Sequence, residues 1–123
     1  MAVRAIRGAT SLAVDTVDEL NAAVAELLEQ LLSRNSLSEQ DIISMLLTST
    51  PDLTSGFPAG AARAYGLHDV PLISAVEVDV PGAPQRIVRV LMHVETDRPR
   101  HEMVHVFLRD AAVLRPDLAG PTT

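Results

Sequence analysis

The sequence predicts an α+β fold, a mixed β-sheet with one long and one short helix packed on it. Three observations carry this. Apolar residues between positions 17 and 34 recur at i, i+3 and i+4. Segments 2–12, 70–80 and 86–96 alternate between two faces, as strands do. Residues 41–50 are apolar on both faces. The elements run β-α-β-α-β-β-β over one domain, 1–118, followed by a short tail at 119–123.

The first strand is "AVRAIRGATSL" (2–12), in which Arg7 falls on the face of Val3, Ala5 and Ala9. Thr16 opens the long helix as N-cap, with Glu19 spaced to reach back in a capping box. Leu20, Ala23, Val24, Leu27, Leu28, Leu31 and Leu32 form its apolar stripe, which ends near Arg34. "SLSEQ" (36–40) is a turn or a single helical turn. "DIISMLLTST" (41–50) reads as a central strand, and Pro51 ends it. In "SGFPAGAARAYG" (55–66), Pro58 sits near the first turn, alanines fill the middle and Gly66 is placed as C-cap, which makes a short helix. "VPLISAVEVDV" (70–80) and the strand at 86–96 flank a "PGAP" turn and read as a long hairpin. "DRPRHEM" (97–103) is a loop or short helix, and "VHVFL" and "AAVLR" are short extended pieces. One long helix covers only part of such a sheet. Strands that are apolar on both sides need further cover, and self-association would supply it.

The chain has 123 residues, 47% of them hydrophobic, which suits one globular domain with a real core. No apolar run approaches the ~20 residues of a membrane helix, and the first residues lack the apolar core of a signal peptide. Cysteine is absent, so disulfides and thiolate metal sites are unavailable. A cytoplasmic location is the default expectation. The net charge is −6 and all ten basic residues are arginine. An acidic chain with scattered charges and three aromatic residues argues against nucleic acid as a partner.

Three chemical readings compete. "HEMVH" (101–105) matches the two-histidine zinc motif, but Pro99 precedes it and strand-like alternation follows, so the context favours a chance match on a surface loop. Nucleophilic catalysis lacks a G-x-S-x-G elbow, and without cysteine or lysine there is no thiol or Schiff-base chemistry. The third reading rests on charges planted in apolar strands. Arg89 lies between Ile87 and Leu91, Arg7 among small apolar residues, and Glu77 on the face of Ile73 and Ala75. A guanidinium cannot lose its charge, and burying it without an anion is costly. Glu77 could neutralise either arginine. Two cations against one carboxylate still leave a positive excess that suits an anionic small molecule, and Arg63 and Arg115 add to it.

"IRGAT" (6–10), "LLTSTPDL…FPAGAAR" (46–63), "VPLISAVEVDV" (70–80), "RIVRVLMHVETD" (86–97) and "VLRPDL" (113–118) occur in this order. Together they resemble the monofunctional chorismate mutases of the trimeric, barrel-like class over nearly the whole chain. The resemblance implies a homotrimer with a pseudo-α/β-barrel centre and active sites in clefts between subunits. It implies the rearrangement of chorismate to prephenate, by conformational restriction and arginine stabilisation of the ether oxygen, with no cofactor and no metal.

Carried over by position, Arg89 would face the ether oxygen and a carboxylate, Arg7 the carboxylates, and Glu77 the ring hydroxyl. The resemblance gives the pocket-lining strand to Leu72, Ile73, Ser74, Ala75 and Val76. It gives the neighbouring subunit's wall to Phe57, Ala59 and Arg63, and the closing C-terminal segment to Leu114 and Arg115. Phe107 stands where a tyrosine usually donates to a carboxylate, Ser74 where a cysteine is familiar, and Gly60 where a basic residue guards the entrance. In an ideal strand Ser74 and Glu77 point to opposite faces, so reaching one ligand calls for a bulge, a twist or main-chain contacts. The rival reading is a non-catalytic trimer of the same fold that binds small anions.

Overall fold

The computed structural model describes residues 1–114. The strands are β1 (Ala2–Ser11), β2 (Ile42–Ser49), β3 (Leu72–Val76), β4 (Ile87–Thr96) and β5 (Val106–Phe107), and the helices are α1 (Val17–Arg34) and α2 (Pro58–Tyr65). The strands form one mixed sheet in the order β3-β2-β4-β1-β5. β4 runs antiparallel to both β1 and β2, while β3 lies parallel to β2 and β5 parallel to β1. Arg115 and the 119–123 tail lie outside the described residues.

Both helices pack on one face of this sheet. The stripe on α1 is realised as read: Leu20, Ala23, Val24, Leu27, Leu28 and Leu31 are buried against Ile6, Met45, Leu47, Val90 and Met92. Each such leucine contributes roughly 1.5–3 kcal/mol by leaving water. Gly8 permits the close approach of α1, since a Cβ there would stand 3.0 Å from Leu31 Cδ1 and 3.2 Å from Leu27 Cδ1. Thr16 caps α1 by accepting the Glu19 N–H at 3.1 Å. Glu19 itself does not close the capping box. Its carboxylate accepts the Ala13 N–H at 3.0 Å and meets Arg109 at 3.5 Å, because the chain entering the helix folds back within its reach. Tyr65 ties α2 to α1 by donating to Glu29 Oε2 at 2.7 Å. Burial, then the Glu29 hydrogen bond, pushes its phenol up to about 12.

Three expectations need correction. The 70–80 and 86–96 segments are not a hairpin, for β2 lies between them. α2 carries the chain from β2 to a parallel β3, and the ten residues 77–86 are long enough to pass across to β4. β3 is also shorter than expected: after Glu77 donates its N–H to Ser49 O at 2.9 Å the chain leaves the ladder. Of the piece read as extended, "AAVLR", the first three residues belong instead to a 3₁₀ turn over Arg109–Val113. Its Ala111 joins Ala9, Ile87 and Phe107 in a small second cluster on the face opposite the helices, with Leu114 packed against it.

Among the described residues, nothing covers most of that opposite face. Ile43, Leu46, Leu91, Val3 and Ile73 are 36–61% exposed. β2, expected at the centre, lies one strand in from the edge, with Met45 and Leu47 buried under the helices and Leu46 on the bare side. No helix of the described residues is long and apolar enough to cross a membrane.

Candidate active site

Arg89 projects from the middle strand of the sheet. It pairs with Ala9 of β1 and Thr48 of β2, while Arg7 pairs with Leu91, two residues further along β4. Paired residues share a face and so do residues two apart, so Arg7, Thr48 and Arg89 all point to the bare side. Thr48 also pairs with Ala75 of β3, and Glu77 follows two residues later onto the same side.

The carboxylate of Glu77 joins these groups. Arg89 Nε donates to Glu77 Oε1 and Oε2, each at 3.1 Å. Thr48 Oγ1 donates to Glu77 Oε2 at 2.6 Å. Among the described residues, internal pairing thus goes to Arg89 and not to Arg7. The burial expected of Arg89 needs correction as well. Its face is apolar around it, yet that face is open, and the Arg89 side chain keeps 35% of its exposure against 18% for Glu77. Arg7, Thr48 and Arg89 line a recess of about 460 Å³ with Leu46, Val90 and Leu91. A second hollow of about 350 Å³ lies on the other side of the ion pair, between Thr50–Asp52 and the loop that carries Glu77. Two guanidiniums facing one carboxylate leave the positive excess that an anionic ligand would meet. Arg7 is further held by its backbone, whose N–H donates to His105 Nδ1 at 2.9 Å.

The remaining predicted residues are divided between the two sides of the sheet. Ser74 points to the helix side, where its Oγ accepts the Ala59 N–H at 2.9 Å. No bulge intervenes, because the β2/β3 register runs unbroken from Met45 to Ser49. The opposite orientation of Ser74 and Glu77 therefore stands. Phe57, 76% exposed, lines a hollow of about 480 Å³ with Ser74, Ala75 and Val76. Arg63 is exposed on α2, whereas the Ala59 side chain is buried and offers only its backbone. The loop leading to Phe57 is pinned by Asp15, which accepts the N–H groups of Thr54 and Ser55 at 3.0 and 3.2 Å and the Thr54 hydroxyl at 3.2 Å. These bonds, the Thr54 N–H foremost, hold the Asp15 carboxyl below its ordinary value. Leu72 and Ile73 stand on the outer strand of the sheet, half-buried and exposed respectively. Phe107 is buried, and Leu114 is half-buried beside it. Arg115 lies outside the described residues.

"HEMVH" is a 3₁₀ turn over Arg100–Glu102 that runs into extended chain, so its histidines do not share a helical face. Thr48 escaped the sequence reading. A threonine in a strand is commonplace, and only its register opposite both Arg89 and Ala75 reveals the contact.

Comparison with known proteins identifies the family. A family model described as chorismate mutase type I matches residues 3–118. The chain is 48% identical over 117 residues to the chorismate mutase AroH of Thermus thermophilus, covering 94% of this chain and 96% of that one. It is 42% identical over 120 residues to the chorismate mutase AroH of Bacillus subtilis, covering 97% and 94%. The fold is similar to that of a chorismate mutase from Clostridium thermocellum, with a TM-score of 0.86 and 44% identity over 89% of this chain and 97% of that one.

Proposed function

This chain belongs to the chorismate mutase type I family, and from that we propose that it converts chorismate to prephenate in clefts between the subunits of a homotrimer, with Arg89, Arg7 and Glu77 at the reacting end. The reaction serves phenylalanine and tyrosine biosynthesis. It is an intramolecular rearrangement in which the enolpyruvyl ether C–O bond breaks as a C–C bond forms. Two kinds of help suffice. Holding the flexible arm over the ring removes orientational entropy. A fixed cation beside the ether oxygen stabilises the negative charge that develops there. In this reading Arg89 meets the ether oxygen and a carboxylate, Arg7 the carboxylates, and Glu77 the ring hydroxyl.

The observation that carries the assignment is the state of Arg89. Its Nε is engaged by Glu77, and among the described residues nothing bonds its two terminal nitrogens. They are oriented donors without an acceptor beside a second guanidinium.

Two features support the trimer. The sheet face bearing the arginines leaves large apolar residues uncovered. Phe57, Arg63 and Ser74 belong to the other side of the sheet from Glu77 and Arg89, so one chain does not bring both groups to one ligand. A neighbour supplying Phe57, Ala59 and Arg63 would. A cytoplasmic location remains part of the proposal.

The test is turnover of chorismate by the purified protein, followed by ultraviolet absorbance with EDTA present. Loss of chorismate with prephenate appearing is expected. No turnover by an intact trimer would overturn the reading in favour of small-anion binding without catalysis.

A further inference from the structure

We propose that Thr48 is a positioning residue of this site: its hydroxyl sets the Glu77 carboxylate so that Arg89 is held through Nε alone and both terminal nitrogens remain turned to the substrate. The inference rests on the mutase reading for its kinetic consequence, though not for its structural one.

Glu77 lies one residue beyond β3, where the ladder has ended. Among the described residues its backbone is tied only by the N–H bond to Ser49 O, so its side chain needs a second anchor to stay over the sheet. Thr48 supplies it. The 2.6 Å hydroxyl–carboxylate bond falls in the range of charge-assisted O–H···O⁻ bonds, about twice as strong as neutral ones. Thr48 also pairs directly with Arg89 across β2 and β4, so anchor and cation share one rigid stretch of sheet. A carboxylate freed from Thr48 could swing to form a two-nitrogen fork with the guanidinium, the geometry such pairs favour. Taken end-on, that fork would release Nε and occupy both terminal nitrogens meant for the substrate. Thr48 thus keeps Arg89 oriented and incompletely satisfied.

The test uses Thr48→Val, which removes the hydroxyl but keeps a β-branched side chain suited to a strand, and Thr48→Ser, which restores the hydroxyl. The first readout is solvent exchange of the Arg89 Nε–H, observed by ¹⁵N NMR of the intact protein and assigned by its loss in Arg89→Lys. Exchange should quicken about tenfold or more in Thr48→Val and return close to wild type in Thr48→Ser. Unchanged exchange in Thr48→Val overturns the inference. The second readout is kcat/KM for chorismate. Thr48→Val should lower it about tenfold in the wild-type background and by less than about twofold where Glu77 is already alanine. Equal losses in both backgrounds overturn action through Glu77. If the wild-type protein shows no turnover, the mutase reading falls, and Nε–H exchange alone decides the role of Thr48.

Discussion

Ser74 caps a helix to which it does not belong. Its Oγ, on β3, accepts the Ala59 N–H in the first turn of α2 at 2.9 Å, where the helix's own N-cap, Phe57, has no side-chain acceptor. Ser74→Ala leaves that donor unmet and should cost about 1 kcal/mol, as lost N-caps do, or about 4 °C in Tm. Because Phe57 and Ala59 are assigned to the substrate wall, KM should rise as well. Thermal melts at one protomer concentration, with steady-state kinetics, check this. Unchanged Tm and KM would remove Ser74 from the site.

Arg89→Ala should lower kcat by about 10² to 10³, the usual cost of removing one donor to developing charge. Arg89 is one-third exposed at an open face, so the fold should survive, as circular dichroism would show. Full turnover by this variant would refute the role given to Arg89.

Gly60 lies within α2, and a Cβ built there meets only Phe57 Cβ, at 3.9 Å. Gly60→Lys should therefore raise stability by about 0.5–1 kcal/mol through helix propensity. It should also lower KM for the dianionic substrate, and that gain should shrink as salt screens it. Gly60→Ala is the control, with the stability gain and no change in KM. Parallel melts and kinetics at two ionic strengths separate the two effects.

Leu46 is 40% exposed on the bare face, among Ile73 and Leu91. Leu46→Glu should prevent burial of this face against a second copy and shift the light-scattering mass from trimer to monomer, with loss of turnover. An intact trimer would show that the face is not an interface.

Asp15 links pH to the loop that presents Phe57. Its carboxyl is held below the ordinary 3.8 by the Thr54 and Ser55 groups, so the folded state favours the ionised form. The resulting stability is present above 3.8 and is lost as pH falls through the lowered folded value. Asp15→Asn should therefore be less stable than wild type near neutrality, with the gap closing in strong acid. A Tm series against pH measures it, and a gap that does not narrow would contradict the linkage.

Much of this molecule was legible in local pattern. The stripe on α1, the Thr16 cap, the Pro58-to-Gly66 helix and the strand faces of Arg7, Arg89 and Glu77 follow from periods of 3.6 and 2 and from cap chemistry. The "PGAP" turn misled because it promised a hairpin. Turn residues report a reversal of the chain but not which strand lies beside the next. The capping-box spacing of Glu19 was equally real, yet Ala13 and Arg109 offered its carboxylate other partners.

By itself the sequence determined the helices, the faces of the strands, the residues that carry charge on them and, through its motifs, the family. Tertiary structure alone decided the strand order, the choice of Glu77 as partner for Arg89 and the part of Thr48 in that pair. The physical reason is range. Periodicity and capping act between residues a few positions apart, so they can be read in one segment. Pairing joins residues as distant as Thr48 and Arg89, and what selects it is the joint packing of all the elements, which no single segment records.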